Sequence, residues 1–330
     1  MLVVLILVDV FITVLSVSES RGPVERWLSR LMWSICRWAG RVFRRREAFA
    51  TLCGPLLVVS TLVLWSASMV FGFALVYWPL LAGGIASSGG APAESFGAAL
   101  YFSGFTITTL GVGDLYPVGA MARAVTVGQA WLGFTFFTLT ISYILSVYGA
   151  VRERNHLAAS LDALSGRTGE SCELFARLEG DPGRGTLLNH LRESFVALLT
   201  AHRQYPAIHY FRLPTAKYST VRMFFLALDY LAIRQALSPD ADASADSFEV
   251  AVEETLSGFM RMVLPSRHGK ITPTAEEMDR WKAHLERSVA LARQRASVSP
   301  DAAADSERYV SRRREWDGML RALAEHYAGD

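Results

Sequence analysis

The chain has 330 residues, 51% of them hydrophobic, and its 33 Lys and Arg nearly balance 31 Asp and Glu. The positive mean hydropathy is too high for an average soluble protein. The even charge balance gives no reason to expect a nucleic-acid partner. Three scattered cysteines, Cys36, Cys53 and Cys172, make neither a disulfide framework nor a zinc-ligand spacing and read as reduced, structural residues.

The apolar excess sits in the first half, whereas residues 151–330 are dense in Arg, Glu and Asp. Spans of about 20 apolar residues are needed to cross a bilayer as a helix. The first candidate runs from Met1 to about Val17 and contains Asp9. It has no basic n-region and no small-residue cleavage site, so it is expected to stay as a transmembrane helix over 1–18. Asp9 is an intramembrane carboxylate and a functional suspect, although protonation or a partner arginine explains it equally well.

Residues 19–51 follow as a basic stretch, with eight arginines between Arg21 and Arg46. At 100° per residue Arg26, Arg30, Arg37, Arg41 and Arg44 fall on one helical face and Trp27, Leu31, Ile35, Trp38 and Val42 on the other. That pattern describes an interfacial helix on the cytoplasmic leaflet, its arginines on anionic lipid. A voltage sensor is the competing reading, but it needs supporting helices that this chain does not supply.

Two further spans, from about Cys53 to Leu80 and between Arg123 and Arg152, contain no internal charge. Arginine clusters after the first and third spans place those regions in the cytoplasm, and residues 81–122 outside. The chain is therefore expected in the cell membrane, with residues 151–330 cytoplasmic and with Tyr77 and Trp78 at the outer interface. Between the two long spans, Glu94 to Thr108 is too short to cross and return. It reads as a re-entrant helix, with Pro92 in its first turn and its negative C-terminal end directed into the membrane.

The residues that follow, Thr109-Leu110-Gly111-Val112-Gly113-Asp114, alternate glycine with side chains, so that an extended strand can turn successive carbonyls to one side. With Asp114-Leu115-Tyr116-Pro117-Val118, the pore loop and the two flanking spans, residues 52–150 resemble the tetrameric potassium channel family, most closely the bacterial type with an outer helix, a re-entrant pore loop and an inner helix. The resemblance implies that the carbonyls of Thr109, Leu110, Gly111, Val112 and Gly113 replace the ion's water shell, flanked by Thr108 and Asp114. It implies a homotetramer, potassium as the permeant ion with no other cofactor, and a hinge at Gly133. Phe134, Phe137, Ile141 and Leu145 would line the cavity and inner constriction, although packing against lipid or neighbouring subunits explains any one of them. Two positions depart from the family. Val112 stands where an aromatic usually braces the filter against the pore helix, here Tyr101 and Phe102. Phe105 stands where some members carry a carboxylate partner for Asp114.

Residues 151–330 read as an all-α domain, with apolar residues at helical spacing in Leu187, Leu188, Leu191, Phe195 and Leu198 and again in Met278, Trp281, Leu285, Val289 and Ala292. Thr274 to Glu277 is a candidate capping box. Tyr218 to Leu237 reads as a bundle core. The run Asp240 to Asp246 begins like a calcium loop but has Ala245 and Ala251 at the glycine and glutamate positions, so a solvated acidic linker is expected. His202 and His209 are candidate ligands, with simple packing the commoner role. No nucleophile elbow, zincin helix or P-loop argues for an enzyme. The readings are a potassium-selective channel gated through 151–330, a weakly selective cation channel as the Val112 departure suggests, and a membrane-anchored helical scaffold or sensor with a vestigial pore.

Overall fold

The computed structural model describes residues 2–14, 23–43, 46–89, 94–237, 242–264, 273–295, 297–301 and 303–328. It divides into two compact units, Met1–Gly149 with Pro206–Phe211, and Ala150–Tyr205 with Arg212–Asp330.

The first unit holds α1 (Leu2–Val14), α2 (Pro23–Val42), α3 (Arg46–Tyr77), β1 (Ile85–Ser87), α4 (Phe96–Ile107), β2 (Leu115–Pro117) and the start of α5 (Ala120–Leu164). Two helices are long and apolar enough to cross a membrane, Thr51–Ala82 and Ala120–Leu164. The 13 residues of α1 extend about 20 Å at 1.5 Å per residue, less than a bilayer core.

In α3, Trp65, Met69, Phe73 and Tyr77 recur every fourth residue, and this stripe packs with Ala99 and Phe102 of α4 and Phe136 of α5. Tyr77 is therefore buried against α4, its ring 4.7 Å from Phe102, and not exposed as a ring at a membrane surface would be. Trp78 is half exposed, and its Nε1–H donates to the Glu94 carbonyl at 3.3 Å. Ile6 and Val10 of α1 are buried with the same cluster, while Val4, Leu5 and Val8 are exposed. Asp9 is buried and accepts a hydrogen bond from Trp65 Nε1–H at 2.9 Å.

The α2 helix packs on α3 with Leu28, Cys36 and Ala39 buried. Leu31, Ile35, Trp38 and Val42 form a separate apolar stripe that stays exposed. Arg26, Arg30, Arg37 and Arg41 lie in this helix, but their side chains, and all of Arg44, fall outside the described residues.

The second unit adds α6 (Ser171–Glu179), α7 (Arg184–Gln204), α8 (Thr220–Leu237), α9 (Ala243–Val263), α10 (Ala275–Gln294) and α11 (Ser306–Ala328). No strand occurs in it among the described residues. The α8 helix forms its centre, buried over most of its surface and packed by α6, α9 and α11. The Thr274–Glu277 capping box opens α10 as expected. Asp242 is no solvated linker residue: it caps α9 through the Ser244 and Ala245 amides and pairs with Arg184 at 2.6 Å and Arg234 at 3.1 Å. With α9 beginning at Ala243, the calcium-loop pattern is helix, and Asp240 lies outside the described residues.

Candidate functional site

The site is built on α4, which opens at Ser95, whose Oγ accepts the Ala98 amide at 3.2 Å. Pro92 lies upstream of this cap and outside the described residues, so the first turn belongs to Phe96 and its neighbours. Two polar residues in apolar helices hold α4 in place. The Ser103 hydroxyl donates to the Val70 carbonyl of α3 at 2.8 Å. From α5, Gln129 Nε2 donates to Ser103 Oγ at 2.8 Å and to its carbonyl at 3.1 Å. Both side chains are fully buried, where such bonds are costly to leave unmade.

At the far end of α4, Gly133 of α5 comes so close that a Cβ there would stand 2.2 Å from the Ile107 carbonyl oxygen. Glycine is thus demanded at this position by helix contact, whatever bending α5 undergoes.

Beyond Ile107 the chain leaves the helix gradually. Thr109 N–H donates to the Thr106 carbonyl at 3.0 Å and Leu110 N–H to the Phe105 carbonyl at 2.9 Å, while the Thr108 hydroxyl turns back to Gly104 at 3.0 Å. From there the backbone alternates in hand. Thr109, Gly111 and Gly113 take φ of 56°, 60° and 85°, and Leu110 and Val112 between them do not. Left-handed geometry costs glycine little and threonine more, so Thr109 carries strain that its surroundings must hold. Residues 108–114 are exposed throughout in the single chain.

The far end of the strand is closed by β1 and β2, which pair antiparallel with Ala86 opposite Tyr116, and by the Ser88 amide donating to the Asp114 carbonyl at 2.9 Å. These strands are three residues each, too short to read from the sequence. The Asp114 carboxylate accepts the Leu115 amide at 2.9 Å, with the Tyr101 hydroxyl of α4 beside it. Tyr101 lies one helical turn before Phe105, so the aspartate that lacks a carboxylate partner at 105 has a phenol at 101. Phe105 is buried with its ring 5.0 Å from Phe102, and Val112 is half exposed.

Along α5, Phe134, Ile141 and Leu145 are 68%, 59% and 68% exposed and Phe137 is 44%. With Val127 and Trp131 they extend an uncovered apolar stripe along the helix. No three His, Cys, Asp or Glu side chains converge as a metal site requires among the described residues.

In the second unit, His202 is buried, Nδ1 3.0 Å from the Leu198 carbonyl and its ring 4.2 Å from Phe259. In the first, His209 is buried beside Tyr210. Each packs as a core residue. The second unit also holds a buried polar node that no sequence motif announced. Asp229 of α8 accepts Ser171 Oγ of α6, Tyr309 OH of α11 at 2.7 Å and Arg313 NH1 at 3.0 Å, with His284 Nε2 of α10 at 3.0 Å. The Arg313 guanidinium lies 5.0–5.9 Å from the rings of Phe225, Trp281, Tyr309 and Trp316. Burial alone would raise the Asp229 pKa, but His284, Arg313 and Ser171 hold it below the usual carboxylate value. The serine, histidine and aspartate do not form a catalytic relay, which uses the two ring nitrogens for two partners. Here one nitrogen, Nε2, faces both oxygens.

An uncovered strand of alternating hand thus stands at the end of a buried short helix between two apolar helices. Residues 60–149 match the Ion channel family model Ion_trans_2, an ion-channel domain of the two-transmembrane, potassium-channel type. The chain is also 31% identical over 158 residues to the uncharacterized membrane protein YdjJ of Bacillus subtilis (strain 168), covering 48% of this chain and 45% of that one. It is 35% identical over 80 residues to protein LctB of Geobacillus stearothermophilus, covering 22% of this chain and 59% of that one. The chain therefore spans about half the length of these curated relatives. No solved structure matches it.

Proposed function

We propose that this membrane protein is a subunit of a homotetrameric, potassium-selective channel, its filter formed by the carbonyls of Thr109, Leu110, Gly111, Val112 and Gly113. The observation that carries this reading is the alternation of positive φ at Thr109, Gly111 and Gly113, in a segment exposed in the single chain. One chain supplies a single row of carbonyls, and rings around an ion need several copies about an axis. Phe134, Phe137, Ile141 and Leu145 line the inner cavity and close it by dewetting, and the inner helix bends at Gly133 between closed and open states. The α1 helix lies in the membrane against α3, its exposed Val4, Leu5 and Val8 toward lipid. The α2 helix lies on the cytoplasmic leaflet, its exposed Leu31, Ile35, Trp38 and Val42 in the headgroup boundary and Arg26, Arg30, Arg37, Arg41 and Arg44 on anionic lipid. Residues 151–330 are cytoplasmic and control opening.

The test is flux from liposomes holding the purified full-length protein, with potassium exchanged for sodium. Potassium is expected to pass in preference, and Gly111→Ala to abolish the current or its selectivity, because a Cβ at φ 60° strains the strand. Equal potassium and sodium flux favours the weakly selective channel, for which the half-exposed Val112 in place of a bracing aromatic is the supporting observation. No flux of either ion favours a vestigial pore.

A further inference from the structure

Cys36 and Cys53 look unrelated in the sequence, yet the fold brings them together. Residues 43–45 separate α2 from α3, and the two cysteines stand equally far from the middle of the 44–45 step, one before and one after. Two helices folded back on each other, both rising 1.5 Å per residue, bring such a pair to one height. Both thiols are buried, 5% and 1% exposed, neither is in a disulfide, and their side chains hydrogen-bond each other. That hydrogen bond holds the Cys36 thiol below its ordinary range although burial opposes it.

The pair occupies a junction of the first unit. Trp33, one turn before Cys36, has its ring 5.8 Å from Tyr210. Gly54, next to Cys53, leaves no room for a Cβ because the Phe211 ring would be 2.6 Å away. Phe211 in turn meets Tyr148 of α5 edge-on at 5.4 Å. A bond between α2 and α3 at this height tightens a layer that includes the end of the inner apolar helix.

We propose that Cys36 and Cys53 form an oxidisable dithiol, a modification site for hydroperoxides whose disulfide fastens α2 to α3 and alters conduction. The Cys36 thiolate attacks a peroxide oxygen, and the O–O bond breaks. The sulfur becomes a sulfenic acid, and the departing oxygen takes a proton and leaves as water. The Cys53 sulfur then attacks the sulfenic sulfur, the S–O bond breaks, and the hydroxyl leaves as a second water with the Cys53 proton. The peroxide takes up the two electrons that the two thiols release. Cys36 reacts first because it is the more exposed of the two and its thiolate is favoured. Cys172 of α6 has a thiol pushed up by burial and by the charge of Glu170, so it competes poorly.

The experiment uses the full-length protein bearing Cys172→Ser, treated with hydrogen peroxide, unfolded, and alkylated with a maleimide before intact mass measurement. Two adducts are expected without peroxide. After peroxide none is expected, with the protein lighter by about 2 Da, two hydrogen atoms, and dithiothreitol should restore both adducts. Two adducts surviving peroxide, or sulfinic acid on one cysteine with the other still free, overturns the site. In Cys36→Ser the Cys53 thiol should keep its adduct, whereas in Cys53→Ser the Cys36 sulfur should stop at the sulfenic acid, heavier by about 16 Da, one oxygen atom, with no disulfide formed. The consequence for conduction rests on the channel reading and is read separately, as potassium flux before peroxide, after it, and after reductant. Flux is expected to change reversibly in wild type and to stay constant in both serine variants. Disulfide formed with flux unchanged overturns the link to conduction and leaves the channel reading intact.

Discussion

His202 gives the second unit an acid sensitivity that can be worked out from its surroundings. Burial first, and then the positive charge of Arg154, push its pKa down to about 3, against the opposing Leu198 carbonyl. Its Nε2 has no hydrogen-bond partner, so a proton added there finds no acceptor. The unfolded chain binds that proton near pH 6.5 and the folded chain does not. Stability is therefore complete above about 6.5 and falls as the pH drops, levelling off near the folded value. At 1.36 kcal/mol per pH unit, the loss between pH 7.5 and pH 5.0 from this residue alone is about 2 kcal/mol. The measurement is denaturant unfolding of the full-length protein in detergent at the two pH values, compared with His202→Gln. The variant should start less stable, having lost the packing on Phe259, but should lose about 2 kcal/mol less on acidification. Equal acid losses in the two proteins would show that His202 is protonated in the folded state and refute the argument.

Three other perturbations test the first unit. Gly133→Ala should drive α5 off the Ile107 carbonyl, where the new Cβ would sit at 2.2 Å, and lower the thermal stability of the assembled protein by an overpacking cost of about 1–3 kcal/mol; an unchanged melting temperature would place the two helices further apart than described. Tyr101→Phe removes the phenol from Asp114 and should weaken the loop over residues 108–114, read as faster loss of potassium flux at low external potassium; flux as durable as wild type would mean that the carboxylate relies on the Leu115 amide alone. Trp65→Phe takes the indole donor from buried Asp9 and should loosen α1 from α3 by about 1–3 kcal/mol, seen as faster proteolysis before residue 23; an unaltered cleavage rate would refute the pairing.

The loop over residues 108–114 was legible because its signals are local. A short apolar stretch and a Thr-x-Gly-x-Gly string occupy one stretch of chain, and glycine at 111 and 113 announces positive φ. The same conformation at Thr109 was invisible, since threonine does not ordinarily adopt it and only the strand's alternation calls for it. Capping at Thr274 was readable for the same reason, its two partners lying three residues apart. Contacts between helices were not readable. Tyr101 beside Asp114 depends on how α4 is rotated, and Ser103 with Gln129 joins residues 26 apart. Both Ser103 and Gln129 are polar side chains within apolar helices, and that is the one signal by which the sequence marks them. The periodicity of α2 put Leu31, Ile35, Trp38 and Val42 on one apolar stripe, which is exposed, but it could not tell that the side facing α3 would be Leu28, Cys36 and Ala39. Tyr77 was misplaced because an aromatic at the end of a span has two uses, and the α4 ring opposite decides between them.

The node around Asp229 also bears on the order in which the second unit can assemble. Its carboxylate is fully buried, and its partners come from α6, α10 and α11, 58, 55 and 80–84 residues away in the chain. An assembly of α6, α8 and α10 without α11 would enclose Asp229 before Tyr309 and Arg313 arrive, leaving much of a carboxylate's charge without a counterion, a state several kcal/mol above the finished one. Partly docked bundles are thus penalised until the last helix is in place, which makes the unit cooperative: it closes with all of its helices or stays open. A chain cut short before Tyr309 would then lose more than its final helix, because the centre of α8 would have no stable way to be buried.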